Sequence, residues 1–454
     1  MMALAAAAQA LGARVVGGDT TFTSVSTDTR TIEAGALFVA LRGERFDGHD
    51  YLAAARERGA TAAMVDRVTG FDGKAGQLPL MVVGDTRLAL GALAKHWRLA
   101  HTLPVIAVTG SNGKTTVKEM IAACLREHFG AERVLATAGN LNNDIGLPLT
   151  LLRLRPGHAC AVVELGMNHP GETAYLADLA RPTVAVVNNA QREHQEFMKS
   201  VADVAAEHAA VFAALPADGI AVVNEDDAYA GYWKGIVGSR GVRGFGLAAG
   251  AVSATYRVDA LDSTVELRTP EGAASFKLHV PGLHNVRNAL AAAAAAGAVG
   301  VPVAAIARAL EGFRAVKGRM QPKPGRHGAR VIDDTYNANP DSVIAAIDVL
   351  AAAPTPRALV LGDMGEVGEH GPAFHEEIGR HARAQGIERV LAVGTLAREA
   401  AKAFGPGGEH FDSVEALIAR LQGLLPSRPT VLVKGSRFMR MERVVEHVVA
   451  AENN

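Results

Sequence analysis

Many of the features that would classify this 454-residue chain at once are missing from it. It has only two cysteines, Cys124 and Cys160, both inside apolar segments; two isolated thiols in so long a chain exclude a disulfide framework, and a reducing cytoplasm is the expected home. Lysine plus arginine (46) and aspartate plus glutamate (47) nearly cancel, and a formal charge of −1 gives no global electrostatic basis for binding nucleic acid or an anionic membrane. No run of about eighteen strongly apolar residues occurs. The nearest approach, LAAAAAAGAVGVPVAAIA (290–307), is alanine-rich and broken by Gly297, Gly300 and Pro302, so membrane insertion is not expected. The opening MMALAAAAQALGARVVGG lacks the basic n-region of a signal peptide and reads as an amphipathic first helix. There is no fixed short-period repeat, and nothing is low-complexity beyond the alanine bias.

What is present is the composition of a soluble globular protein, 49% hydrophobic and 20% charged, at a length suited to about three domains. The pattern predicts an α/β protein of three domains: a small α/β N-terminal domain (1–100), a central P-loop-type domain with a mainly parallel sheet (101–313) and a C-terminal Rossmann-like domain (314–454). In the first, ALFVAL (36–41) and LMVV (80–83) read as strands around the helical YLAAARERGA. In the second, VIAV, ACAVVELG, TVAVVNN and GIAVVNEDD alternate with helical stretches, which argues a parallel sheet with ligands at the carboxyl ends of its strands. The segment 252–280 alternates polar and apolar and reads as antiparallel ribbon. AVKGRMQPKPGRHGARVIDD reads as a linker or domain entry, followed by strands VIDD, RALVLGD, RVLAVG and TVLVKG.

The sharpest local signal is VIAVTGSNGKTTVKEMIAACL (105–125). A short β-branched strand runs into a glycine-rich loop and then a helix, so bare backbone N–H groups and a helix N-terminus, carrying roughly half an elementary positive charge, converge on one point. Gly110 and Gly113 let the backbone approach a phosphate, Lys114 can pair with outer phosphate oxygens, and the Thr115 hydroxyl can join a Mg²⁺ shell. The common pattern has a glycine five residues before Gly113; Val108 stands there, so this is a shorter variant. Other polar clusters follow apolar strands. Asn140, Asn142 and Asn143 offer amides able to orient a peptide or phosphate. Glu164 ends an apolar strand, placed to hold Mg²⁺. His194 in NNAQREHQEF is a candidate metal ligand or base. DDTYNANPDS, LGDMGEVGEHG and LVKGSR end three strands of the last domain, which argues a shared cleft.

Taken together, TGSNGKTT, GNLNNDIGLPLT, VVELGMN, GLHNVRNALAAAA, DDTYNANPDS and LGDMGEVGEHG, in that order from about residue 25 to about residue 440, resemble the Mur ligases of peptidoglycan synthesis. The resemblance implies ATP and Mg²⁺ as cofactors, a monomeric enzyme and a cytoplasmic role in cell-wall precursor synthesis. Carried over, Thr109, Gly110, Ser111, Asn112, Gly113, Lys114, Thr115 and Thr116 hold the triphosphate, with His284, Asn285 and Asn288 near the nucleotide. Arg319, Asp334, Tyr336 and Asn337 are the C-terminal contribution to ATP. Thr115, Glu164 and His194 serve the metal, and Lys434 is a transition-state cation. Thr27, Asp28, Thr29 and Arg30 hold the UDP end of the precursor.

Within the family, DTYNANP and LGDMGEVGEHG favour dipeptide addition, with a UDP-linked muramoyl tripeptide, D-alanyl-D-alanine and ATP as substrates and an acyl phosphate between them. Amino-acid-adding relatives carry an acidic Asn-Pro-Arg-like motif that is absent here; a folylpolyglutamate-type ligase and a non-catalytic nucleotide-binding protein are the other readings. One departure stands out. Many family members have a carbamylated lysine fourteen residues past the metal histidine, and this chain has His208, which leaves a second Mg²⁺ to His208, Glu207 or the substrate phosphates. Whether the tripeptide ends in diaminopimelate or lysine is left open.

Overall fold

The computed structural model describes residues 1–68 and 77–450; the last four positions of the C-terminal block lie outside the described residues. Three α/β units follow one another along the chain. The first is a five-stranded sheet in the order Arg14–Val16, Leu80–Val82, Ala62–Val65, Ala36–Val39, Ser24–Ser26, parallel except for its first pair. The expected first helix is present at Leu4–Leu11 and stops at Gly12, whose φ of 63° is the left-handed conformation glycine adopts without penalty.

The second unit is a six-stranded parallel sheet in the order Gly241–Phe245, Ile220–Asn224, Val184–Val187, Val105–Thr109, Cys160–Glu164, Val134–Ala136. All five residues of Val105–Thr109 are buried, as a strand covered on both faces requires. This strand is first in sequence and central in the sheet, so the chain leaves it to opposite sides and opens a crevice at its carboxyl end. Glu164 pairs in register with Val108, and Val187 with Thr109. The loop after Thr109, the end of the glutamate strand and the run after Val187 therefore meet at one edge. Helices Lys114–Phe129 and Leu283–Ala298 cover one face; Ala291 to Ala296 are fully buried, because methyl side chains let the backbone pack closely on every side. The expected antiparallel ribbon is Ser253–Val258, Ser263–Thr269 and Gly272–Leu278, with Val265, Leu267, Phe276 and Leu278 closing the same core.

The third unit orders its strands Gln321–Pro324, Arg330–Asp334, Thr430–Lys434, Arg357–Gly362, Arg389–Val393, Gly408–Phe411, parallel except for the first pair. Here the structure corrects the linker reading of QPKP, which is an edge strand. Two prolines that cannot donate are tolerated because an edge strand has one unpaired side.

The middle unit joins its neighbours differently. Helix Thr86–Leu99 packs on helices Gly146–Leu151 and Glu172–Ala180, and buried side chains from Leu4 to Val237 form one apolar cluster across the first and second units. The two larger apolar clusters of the third unit, by contrast, run from Met320 to Leu432 and from Ala329 to Val448 and include no buried residue of the middle one.

Candidate active site

A cavity of about 1160 Å³ opens at the carboxyl edge of the middle sheet, roofed by the third unit. Its floor is the loop Ser111–Thr116. Gly110 has φ 131°, and a Cβ there would lie 3.0 Å from the backbone nitrogens of Asn188 and Asn189; at Gly113 (φ 84°) it would lie 2.5 Å from Asn288 Oδ1. Only glycine fits either position. The loop is pinned from the strand-end amides: Asn112 N donates to Asn189 Oδ1 (2.8 Å), and Asn188 Nδ2 donates to Asn112 O (2.8 Å) and to Asn288 Oδ1 (3.0 Å). Asn288 in turn donates to Asn285 Oδ1 (3.0 Å). Lys114 opens the helix and folds back, its Nζ donating to Gly110 O (2.5 Å), Ser111 O (3.2 Å) and Glu193 Oε2 (3.3 Å).

Glu164 is 2% exposed; its Oε1 accepts from Asn142 Nδ2 (2.7 Å) while Oε2 is buried without a hydrogen-bond partner. An unpartnered carboxylate oxygen in a cavity lined also by the glycine loop and Thr115 is a donor set suited to a hard divalent cation. Among the described residues no cluster of three or more His, Cys, Asp or Glu could hold a metal unaided, so phosphate oxygens and water must complete any coordination shell. His194 lies on the cavity wall with its Nδ1 2.7 Å from Glu366 Oε2 of the third unit, a contact without hydrogen-bond geometry.

The two side chains offered for a second cation are both turned elsewhere. His208 is fully buried beneath the loop, with Nδ1 2.9 Å from Thr109 Oγ1 and Nε2 2.7 Å from Glu193 Oε1. Glu207 accepts from Gly171 N (2.9 Å) and Thr173 N (2.8 Å), at the start of a helix whose exposed N–H groups attract it. The inward carboxylate at this place is Glu193. Burial alone would raise its pKa, but Lys114, the His208 hydrogen bond and His194 outweigh burial and hold it at about 2. The polar run NNAQREHQEF was the only signal for it; its partners His208 and Lys114 are 15 and 79 residues away in sequence.

Most of the other expected residues meet here. Asn140, Asn142, Asn143, His284, Asn285, Asn288, Arg319, Asp334, Tyr336, Asn337 and Lys434 all line the cavity. Asn143 serves the local turn, its Oδ1 accepting from Gly146 N (2.8 Å). Burial drives His284 down to about 4, so its imidazole is neutral at neutral pH. Lys434 is held by Asp334 Oδ2 (2.6 Å) and Asn337 O (2.9 Å), and Arg319 donates to Thr115 Oγ1 (2.9 Å) with its guanidinium 4.0 Å over the Tyr336 ring. Thr109 and Gly110 sit just behind the wall. Thr27, Asp28, Thr29 and Arg30 are not part of it: they lie on the first unit, where an exposed Arg30 is paired with Asp28 at 2.7 Å.

Comparison with known proteins agrees with this architecture unit by unit. Residues 21–98 match the Mur ligase family catalytic domain, 108–296 the Mur ligase middle domain and 318–437 the Mur ligase glutamate ligase domain. The UDP-N-acetylmuramoyl-tripeptide–D-alanyl-D-alanine ligase of Escherichia coli is 44% identical over 440 residues, covering 96% of this chain and 95% of the relative. The chain belongs to the Mur ligase family. Among solved Mur ligases, MurF from Acinetobacter baumannii superposes with a TM-score of 0.89 at 33% identity, covering 97% of each chain. MurF from Thermotoga maritima in complex with ADP gives 0.81 at 27% identity, covering 93% of this chain and 96% of that one. In Mur ligase terms, the first unit is the N-terminal domain, the second the central domain and the third the C-terminal domain.

Proposed function

We propose that this Mur ligase joins D-alanyl-D-alanine to UDP-N-acetylmuramoyl-tripeptide at the expense of ATP, as a cytoplasmic monomer with domain breaks near residues 100 and 313. The observation that carries it is the cavity itself: a phosphate loop and a carboxylate with one unpartnered oxygen, both from the central domain, share its lining with Arg319 and Lys434 from the C-terminal domain. The activity named for the E. coli relative supplies the substrates.

A free carboxylate is a poor acyl donor because its leaving group would be oxide. Its oxygen therefore attacks the γ-phosphorus, the bond to the β-phosphate oxygen breaks, and ADP leaves behind an acyl phosphate. The amine then attacks the acyl carbon, and inorganic phosphate departs carrying the former carboxylate oxygen. In the first step Lys114 turns from the carbonyls of Gly110 and Ser111 to the phosphate, and the loop N–H groups take the transferred charge. Glu164, Thr115 and His194 are the residues that would hold Mg²⁺, which neutralises phosphate charge when bound. Arg319 and Lys434 bring two further cations from the C-terminal domain, Lys434 placed to meet the charge that develops in transfer. Asn140 and Asn142 border the precursor's end of the cavity. No helix among the described residues is long and apolar enough to cross a membrane, in keeping with soluble substrates. Incubation with UDP-tripeptide, D-alanyl-D-alanine and ATP, read by product mass, is expected to show the pentapeptide precursor and one ADP per bond. With carboxylate-¹⁸O precursor, label must pass into phosphate; unlabelled phosphate would exclude the acyl-phosphate route.

A further inference from the structure

Directly after the amides that pin the phosphate loop comes a three-residue strap, Arg192, Glu193 and His194, each side chain pointing to a different place. Arg192 reaches the C-terminal domain. Its Nε and Nη2 donate to Asp341 Oδ1 (3.0 and 2.6 Å), its backbone N donates to Asp341 Oδ2 (2.8 Å), and Nη1 and Nη2 donate to Glu377 (2.8 and 3.2 Å). The guanidinium also lies 5.2 Å over the Phe374 ring. Two carboxylates and a ring from one domain thus enclose one arginine of another, a geometry that uses the planar fork and that lysine cannot reproduce.

The next two residues face the chemistry. Glu193 is buried between Lys114 and His208, and His194 stands beside Glu366 with a backbone φ of 49°, a conformation that β-carbon sterics disfavour. The strap has no helix or strand ladder of its own to fix it. Its fixed points are Glu193 on the central-domain side and, on the C-terminal side, Asp341 and Glu377 at Arg192 together with Glu366, whose carbonyl accepts from Glu196 N at 3.2 Å. Among the described residues the buried apolar clusters of the C-terminal domain do not run on into the central domain, so polar contacts such as these carry much of the relation between them.

We propose that Arg192 is a positioning residue: gripped by Asp341 and Glu377, it clasps the C-terminal domain over the nucleotide and so sets the backbone that aims Glu193 and His194. The clasp engages the same domain whose cations line the cavity, so its loss weakens use of the amine more than the hold on nucleotide, since the loop is pinned mainly by Asn188 and Asn189 of the central domain.

The test is Arg192→Ala beside Arg192→Lys and Asp341→Asn, with small-angle scattering in the presence of a non-hydrolysable ATP analogue, binding of a fluorescent ATP analogue, and steady-state kinetics. Arg192→Ala is expected to have a larger radius of gyration than the wild type with the analogue bound. Its KM for the amine should rise about tenfold, the range of a typical inter-site coupling, with ATP-analogue affinity within about twofold. Arg192→Lys should fall between the two, and adding Asp341→Asn to Arg192→Ala should change little more. An unchanged radius and amine KM in Arg192→Ala overturn the proposal, as does an equal loss of ATP affinity. If Arg192→Ala does not fold, Arg192→Lys and Asp341→Asn decide by the same readouts. The kinetic arm rests on the reaction proposed above and the scattering arm does not: a wild type that makes no product would sink the reaction and leave the clasp to be judged on its radius.

Discussion

The central domain meets its two neighbours through surfaces of opposite character. Toward the N-terminal domain it shares a continuous apolar core, sealed by Arg98, which is 5% exposed and donates to Ala180 O (3.0 Å) and Arg181 O (3.1 Å), and by Trp97 Nε1 donating to Leu154 O (3.1 Å). Toward the C-terminal domain the contacts are ion pairs and amides: Arg192 with Asp341 and Glu377, Arg319 on Thr115, and Asn112 reciprocally with Asn339 (2.9 and 3.3 Å). An apolar interface costs free energy in proportion to the area it exposes on parting, whereas polar groups that separate are rehydrated. The first surface costs more to part than the second, and the groups proposed to react lie along the second.

The largest effect expected from breaking this contrast is at the floor of the polar side. Lys114→Ala removes the one side-chain cation on the loop and is expected to abolish ADP formation in a coupled assay. The fold is expected to survive, since Gly110 O and Ser111 O can take water in its place and Glu193 keeps His208 as a partner. Turnover at the wild-type rate would remove Lys114 from the mechanism.

A pH experiment probes the half-buried His284 on the same surface. His284 is held neutral by burial, its pKa moved from 6.5 to about 4. A histidine depressed in the native state stabilises the fold fully above its unfolded pKa. That contribution fades as pH falls from about 6.5 and is gone below about 4, where both states are protonated. The difference in urea-unfolding midpoint between wild type and His284→Asn is expected to be constant above about pH 6.5 and to shift against the wild type as pH falls from 6.5 toward 4. Parallel curves would mean that His284 titrates normally in the folded protein.

The apolar side is tested by overfilling it. A Cβ at Gly91 would lie 2.4 Å from Tyr175 Oη and 3.3 Å from Leu179 Cδ1 across the interface. Gly91→Val is expected to cost about 1–3 kcal/mol, the usual range for overpacking a filled contact. Because the amine is proposed to meet the C-terminal domain, its KM should stay near the wild-type value in Gly91→Val, the reverse of the outcome expected for Arg192→Ala. A rise in amine KM with little loss of stability would dissolve the distinction between the two surfaces.

How far the sequence discloses all this follows from how local each signal is. Strand, glycine loop, Lys114 and helix lie within about twenty residues, so the element order and the place of the loop at the cavity were readable there, and Glu164 was readable because a carboxylate closing an apolar strand stands out. Arg192 gives no such sign, since its meaning depends on Asp341 and Glu377, 149 and 185 positions away. Glu193 was hidden in the same way behind His194, the more conspicuous residue. His208 was conspicuous as a substitution, but only the geometry shows both ring nitrogens occupied. Short strands of weak pattern, such as Gly241–Phe245 and Gly408–Phe411, escape because glycine and charge dilute the alternation, and their pairing comes from neighbours in the sheet.

The smallest expected effect is no change at all, and it bears on whether the central sheet itself moves. Cys124 lies on the helix that begins with Lys114, and Cys160 opens the strand that ends in Glu164; both thiols are fully buried, and burial lifts each pKa to about 12. Thiolate, the reactive form, is scarce at neutral pH for such a group. Titration with a thiol reagent is therefore expected to show no fast-reacting cysteine, with or without an ATP analogue, and two only on unfolding. If nucleotide made either thiol reactive, the central sheet would be moving with the C-terminal domain, and its role as the fixed partner of both surfaces would be lost.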